Sequence, residues 1–205
     1  MCGRYVSPDE SSIEREFNLV RTEWQFPASY NVAPTQQVPI VRSENGEHRG
    51  LSVRWGLIPF FAKGVAGKYS TINARIETME TTASYRDPWQ RGQRCLQVAS
   101  GFYEWHDGAA GRVPYYIHLN DQSIFGFAGL WDRSFKADGT AIESCAHIVD
   151  VLAVANDILG RGLDLRALFN RCEIIPEKFR VAPRGPFPFT ALAELFQRIG
   201  SRRLE

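Results

Sequence analysis

No stretch of this chain approaches the roughly 18 uninterrupted apolar residues that a membrane-spanning helix needs, so no membrane partner is expected. The opening residues MCGRYVSPDE hold no apolar signal region, and a cytoplasmic protein is the expectation. Cysteine is sparse: Cys2, Cys95, Cys145 and Cys172 make the whole set, with no C-x-x-C pair. That argues against a disulfide framework and a structural zinc, and no metal or organic cofactor is expected. An excess of charge of one sign is missing too, since 24 basic residues face 23 acidic ones, a net charge of +1. A non-specific nucleic-acid coater with a broad basic face is thereby disfavoured, whereas a local cationic groove is not. Repeats and low-complexity tracts are absent, so no domain boundary is marked and one domain over residues 1–205 is expected.

What is present is the composition of an ordinary folded protein, 44% apolar and 23% charged, which argues against disorder. Ser7-Pro8-Asp9-Glu10 reads as a helix start: a Ser cap, Pro at the first helical position, and Glu three residues after the cap. Ile13 and Phe17 then recur at helical spacing. The preceding MCGRYV reads as a short strand, which would anchor Cys2 near the core. Short apolar or alternating runs at 39–41, 51–57, 94–99, 115–119 and 123–130 read as strands joined by turns. Residues 62–68, AKGVAGK, read as a mobile basic loop. Leu192, Leu195, Phe196 and Ile199 lie on one face of a helix capped by Thr190 and ended by Gly200. Hairpin-like spacings favour a single α+β domain: a curved, mostly antiparallel β-sheet, open and barrel-like, flanked by a few helices. Cys95, Cys145 and Cys172 sit among apolar neighbours and read as inert core residues.

Cys2 is the most reactive position. Once Met1 is removed, it carries a thiol and a free α-amine on adjacent carbons. An α-amine titrates near pH 7.7–8.0, so a useful fraction is neutral at physiological pH. A neutral amine attacks an aldehyde to give a Schiff base, and the neighbouring thiol then closes a five-membered thiazolidine. From position alone, Cys2 reads first as an accident of the start codon.

The context of Cys2 changes that weighing. Met1-Cys2-Gly3-Arg4-Tyr5 is followed by Tyr30-Asn31-Val32-Ala33-Pro34 and Arg54-Trp55-Gly56-Leu57-Ile58-Pro59. Ile72-Asn73-Ala74-Arg75-Ile76-Glu77 and Gly101-Phe102-Tyr103-Glu104-Trp105 come next. This series, in this order, closely resembles the SRAP family, the SOS-response-associated peptidase domains, over roughly residues 1–147. The resemblance implies that Cys2 captures the ring-opened aldehyde of an abasic site in single-stranded DNA as a thiazolidine crosslink. It implies that Asn73 orients the sugar and that Glu104 serves the acid/base steps. Arg4 and Arg75 match positions that grip flanking phosphates, and Asn31 matches a residue lining the DNA cleft. A carboxyl group is chemically apt here, because imine formation expels water from a carbinolamine and needs a proton donor. Its aromatic flanks, Tyr103 and Trp105, should raise the pKa of Glu104. Bland readings stand beside these: Glu104 pairing an arginine on a sheet surface, Asn73 a turn residue, Arg75 pairing Glu77. Trp55, Phe60 and Phe61 are candidates for stacking bases, with core packing at least as natural for Trp55.

The pattern breaks near residue 160. Where the family carries His-x-Arg-Met-Pro, this chain reads Gly160-Arg161-Gly162-Leu163-Asp164 after Ala155-Asn156-Asp157-Ile158-Leu159. The resemblance assigns that histidine to sugar ring opening and crosslink reversal, so capture by Cys2 is expected to survive its loss better than reversal. His147 is the nearest histidine and reads as a strand residue in the core or at an edge. Two other functions follow from the same residues. One is an N-terminal-nucleophile hydrolase or peptidase, with self-removal of Met1 as its minimal activity. The other is a non-catalytic DNA-binding module of the same fold. A monomer is the expected state.

Overall fold

A computed structural model of the chain describes residues 3–19, 21–24, 26–108, 111–118 and 124–149. The expected C-terminal helix at 192–199, Cys172 and the divergent stretch around residue 160 lie outside them, as does Cys2. In chain order the elements are β1 (Arg4–Ser7), α1 (Glu10–Phe17), β2 (Arg21–Glu23), β3 (Ser29–Val32), β4 (Gln37–Glu44) and β5 (Glu47–Trp55). A 3-10 turn at Phe60–Ala62 precedes β6 (Asn73–Arg75), α2 (Ala83–Gln90) and β7 (Arg94–Ala99). β8 (Gly101–Gly108), β9 (Gly111–Ile117), β10 (Phe125–Phe135) and β11 (Ala141–Val149) complete the set. The fold is α+β, as the hairpin-like spacings predict.

The larger sheet runs β2-β5-β4-β7-β10-β11-β6, and a further β5–β11 pairing bends it into a closed five-stranded barrel of β5, β4, β7, β10 and β11. The closure is parallel, with Ser144 beside Arg54 and Cys145 beside Trp55. Gly56 makes it possible. Its φ of +114° turns the chain sharply out of β5 while its N–H donates to the Cys145 carbonyl at 2.8 Å, a backbone conformation that favours glycine. Along β7 the side chains alternate strictly. Cys95 and Ala99 join the interior with Val38, Ile40, Leu51, Val53 and Trp55, whereas Leu96 and Val98 face outward beneath Ile13 of α1 and Trp24. α2 covers Leu130 and Ala146 on the outside with Tyr85. The thiols of Cys95 and Cys145 are buried and not disulfide-bonded, and burial pushes that of Cys145 well above its ordinary value. Both are inert core residues.

A second, antiparallel sheet of order β3-β1-β8-β9 sits over one end of the barrel, where Tyr5, Val32 and Phe102 join the same interior cluster. At the opposite end, Arg42 is 4% exposed and lies 3.9 Å over the Trp131 ring, bonded to Glu44 and Glu143. The charges seal that mouth, leaving the end under β1 and β8 as the one bearing the candidate residues.

The helix start differs from the reading of Ser7 as cap. Ser7 is the last residue of β1 and is buried, and Pro8 lies before the helix. Asp9 is the cap instead: its carboxylate accepts from the Ser12 N–H at 3.0 Å and from the Ser11 and Ser12 hydroxyls. A carboxylate with two oxygens satisfies three donors where a hydroxyl meets one. These bonds hold Asp9 well below the usual carboxylate range. A depressed folded pKa means the cap's contribution is complete above the unfolded carboxylate's pKa near 3.9 and fades as pH falls below it. Asp9→Ala is expected to cost about 1 kcal/mol at pH 7, and the difference from wild type should shrink in urea melts at pH 3.

Candidate functional site

Tyr5 organises the site. It is fully buried, with ring centroids 5.5 Å from Trp55, 6.3 Å from His147 and 6.4 Å from Phe127. Because strand side chains alternate, burying Tyr5 turns Arg4 to the other face of β1. There its guanidinium donates to Asn31 Oδ1 at 2.8 Å. Arg4 also stands opposite Tyr103 in the β1–β8 ladder, so β1 runs beside the Tyr103–Glu104 step. The Tyr103 hydroxyl donates to the Tyr30 carbonyl at 3.0 Å, tying β8 to β3 across β1.

Asn73 arrives from another direction. β6 pairs in parallel with β11, with Asn73 opposite His147 and Arg75 opposite Val149. The Ile72 carbonyl just before it accepts from the His147 N–H at 2.9 Å and from Trp55 Nε1 at 3.2 Å. The Tyr85 hydroxyl donates to the Asn73 carbonyl at 3.2 Å, and burial pushes that phenol's pKa up to about 12. Three donors therefore fix the backbone on both sides of Asn73. Ala74 packs in the α2 cluster, so Asn73 and the exposed Arg75 share the opposite face, the face of His147 and Tyr5.

Of the expected site residues, the fold thus joins Arg4 directly to Asn31, runs the Glu104 backbone beside Arg4, and sets Asn73 one strand from His147. Arg75 lies one step further along β6. Cys2 and the Glu104 side chain lie outside what the structure describes. Trp55 is core, fully buried, and cannot stack a base. Phe60 and Phe61 are exposed but do not stand beside Tyr5. The Phe60 N–H donates to Asp132 and the Gly64 N–H to Ser134, which anchors this segment toward the far end of β10. Five strand residues from Phe127 to Asp132 span about 17 Å. The 62–68 loop thereby starts from the 3-10 turn and is pinned at Gly64.

His147 is buried, and its aromatic surroundings press its pKa down to about 3 through the cost of charging the ring away from water. It is a neutral residue packed on Trp55 and Phe127, at 4.9 and 4.5 Å between ring centroids. It does not replace the missing histidine as a proton shuttle near neutral pH. Because the unfolded ring titrates near 6.5 and the folded one near 3, the unfolded state takes up a proton first as pH falls. Stability from this group is complete above pH 6.5 and lost between there and pH 3. About 2 kcal/mol should be missing at pH 5, and urea midpoints of wild type and His147→Phe at pH 7 and 5 check it.

A closed barrel capped by a small sheet, with an Arg4–Asn31 pair on that sheet's outer face and Asn73 on a strand beside His147, defines an α+β class of protein. Its family is also evident: residues 1–158 match the model of the SOS response associated peptidase (SRAP) family, and the chain belongs to it. The abasic site processing protein YoqW of Bacillus subtilis is 35% identical over 152 residues, covering 72% of this chain and 67% of the relative. The abasic site processing protein YobE of the same organism is 34% identical over 152 residues, 72% of this chain and 69% of its own. In fold, the chain matches the crystal structure of a Bordetella bronchiseptica protein with a TM-score of 0.63 and 22% identity, covering 98% of this chain and 88% of that one.

Proposed function

We propose that this protein captures abasic sites in single-stranded DNA through Cys2. Family membership together with relatives named abasic site processing proteins carries the reading. In the proposed chemistry the freed α-amine of Cys2 attacks the C1′ aldehyde of the ring-opened sugar. The carbinolamine loses water to an imine, and the thiol adds across the C=N bond with transfer of its proton to nitrogen. Aldehyde and cysteine give thiazolidine and one water. Glu104 donates the proton that lets water leave. Asn73 orients the sugar, and Arg4, Asn31 and Arg75 hold the strand. One feature supports this assignment: the Arg4–Asn31 bond presents a preset guanidinium fork to a phosphate, on a strand in register with Tyr103. Single-stranded DNA is favoured because an abasic sugar must be reached outside a base stack.

The test is incubation with single-stranded DNA carrying one abasic site, followed by a denaturing gel and intact mass. A shifted band whose mass lacks Met1 supports the reading. A protein with a free Cys2 that binds the strand but yields no shifted band would instead be a binding module, a reading that the absent His-x-Arg-Met-Pro motif favours.

A further inference from the structure

The outer face of the β3-β1-β8-β9 sheet carries a pile of aromatic rings that the capture chemistry does not use. Tyr103 and Tyr116 lie opposite each other in the β8–β9 ladder, with ring centroids 5.2 Å apart. Tyr116 in turn stacks on His118 at 5.1 Å and 24°. These rings stand on the face away from the core, since their neighbour Phe102 points into the barrel. Tyr116 is 41% exposed.

The pile is built, not incidental. Tyr116 lies flat across Gly101, where a Cβ would fall 2.4 Å from the ring, so only glycine leaves that strand low enough. Both phenols are tethered, Tyr103 to the Tyr30 carbonyl and Tyr116 to the Ser100 carbonyl at 3.4 Å. Tethered rings bind without first being ordered. At the β1 side of the pile, opposite Tyr103, sits the guanidinium of Arg4 bonded to Asn31. Cation and adjoining π-faces together are the chemistry that holds a single strand: phosphate on the arginine, bases on the rings.

We propose that Tyr103, Tyr116 and His118 form a stacking platform that receives the bases next to the one held at Arg4. The proposal rests on the abasic-DNA reading above. It places the strand's path over the outer face of the small sheet, from Arg4 across β8 to the β9 edge. Sequence tolerance follows, because every base offers a π-face.

The experiment measures binding of the full-length protein to a fluorescein-labelled, lesion-free oligodeoxythymidine of about 12 nucleotides, within the usual single-strand site range. Tyr116→Ala and His118→Ala are each expected to weaken binding about tenfold, the usual cost of one lost stack. Tyr116→Phe, which keeps the ring, should restore affinity. Circular dichroism melts accompany each variant, so that a fold defect is separated from a lost stack. Unchanged affinity in both alanine variants, beside a wild type that binds the oligomer and captures abasic DNA, would overturn the platform alone. A wild type that neither binds single strands nor captures abasic DNA would overturn the platform and the parent reading together.

Discussion

Cys2→Ala is expected to abolish the heat-stable product with abasic single-stranded DNA while leaving an imine that borohydride traps. The alanine still presents an α-amine near pKa 7.7–8.0, so it attacks the aldehyde as before. What it lacks is the thiol, three bonds from the amine nitrogen, that adds to the imine carbon. Such an intramolecular addition has an effective molarity on the order of 10⁵ M or more, so its loss should reduce stable adduct by at least about 100-fold. Non-covalent binding should persist, because the phosphate contacts assigned to Arg4, Asn31 and Arg75 do not involve the thiol. Inserting a residue before Cys2 buries the amine in a peptide bond and should remove both products. A heat-stable adduct of undiminished yield in Cys2→Ala would place the nucleophile elsewhere in the chain.

Much of the barrel was legible because its strands are short and apolar on one or both faces. β7 is the plainest case. Residues 94–99 read as a strand and form one over Arg94–Ala99, since Cys95 and Ala99 fill the interior while Leu96 and Val98 lie under α1. Hydropathy marks β4 only at 39–41, although the strand runs from Gln37 to Glu44. Its far end includes Arg42, a charge buried by pairing with Glu44 and Glu143 that hydropathy alone does not place inside. α2 gave no signal: it contains Pro88 and few apolar residues, and it is held by Tyr85 and Pro88 packing inward. Nor was closure of the barrel readable, because the β5–β11 pairing is parallel and joins segments with no local turn between them. The open sheet expected from the hairpin spacings therefore acquires one seam.

The candidate site divides the same way. Arg4, Asn31, Asn73 and Arg75 were singled out by resemblance to family motifs, yet their grouping depends on pairings distant in sequence. The Arg4–Asn31 bond joins β1 to β3, and the β6–β11 ladder alone sets Asn73 opposite His147. Alternation from Tyr5 could have placed Arg4 on the outer face, and the same rule applied to Phe102 puts Tyr103 beside it. The Tyr116–His118 stack carried no comparable mark, because two aromatics spaced by two along a strand look like ordinary sheet packing.

Trp55→Ala should be the most destabilising single change in the barrel, at about 3–5 kcal/mol. The indole is fully buried at the closing seam, between Tyr5 and His147. Both its main-chain groups are held by the neighbouring 35–36 segment, its N–H donating to the Gln36 carbonyl at 2.9 Å and its carbonyl accepting from the Thr35 N–H at 2.8 Å. The backbone therefore cannot collapse readily into the vacated volume, which puts the cost at the upper end of the range. Against a total stability of about 5–15 kcal/mol, the loss should lower the melting temperature by roughly 10–15 °C. The effect also reaches the candidate site. Without the indole N–H, the Ile72 carbonyl keeps only the His147 N–H as donor, and His147 loses one of the rings it packs on. Asn73, the next residue, should then be held less firmly, so capture should slow at temperatures where the variant is still folded. Trp55→Phe separates the two contributions: it refills most of the volume and recovers most of the stability, but lacks the N–H and should leave the slowed capture in place. Thermal melts paired with capture rates at 20 °C measure both. A Trp55→Ala loss below about 1 kcal/mol would mean that the seam is not packed on this side chain.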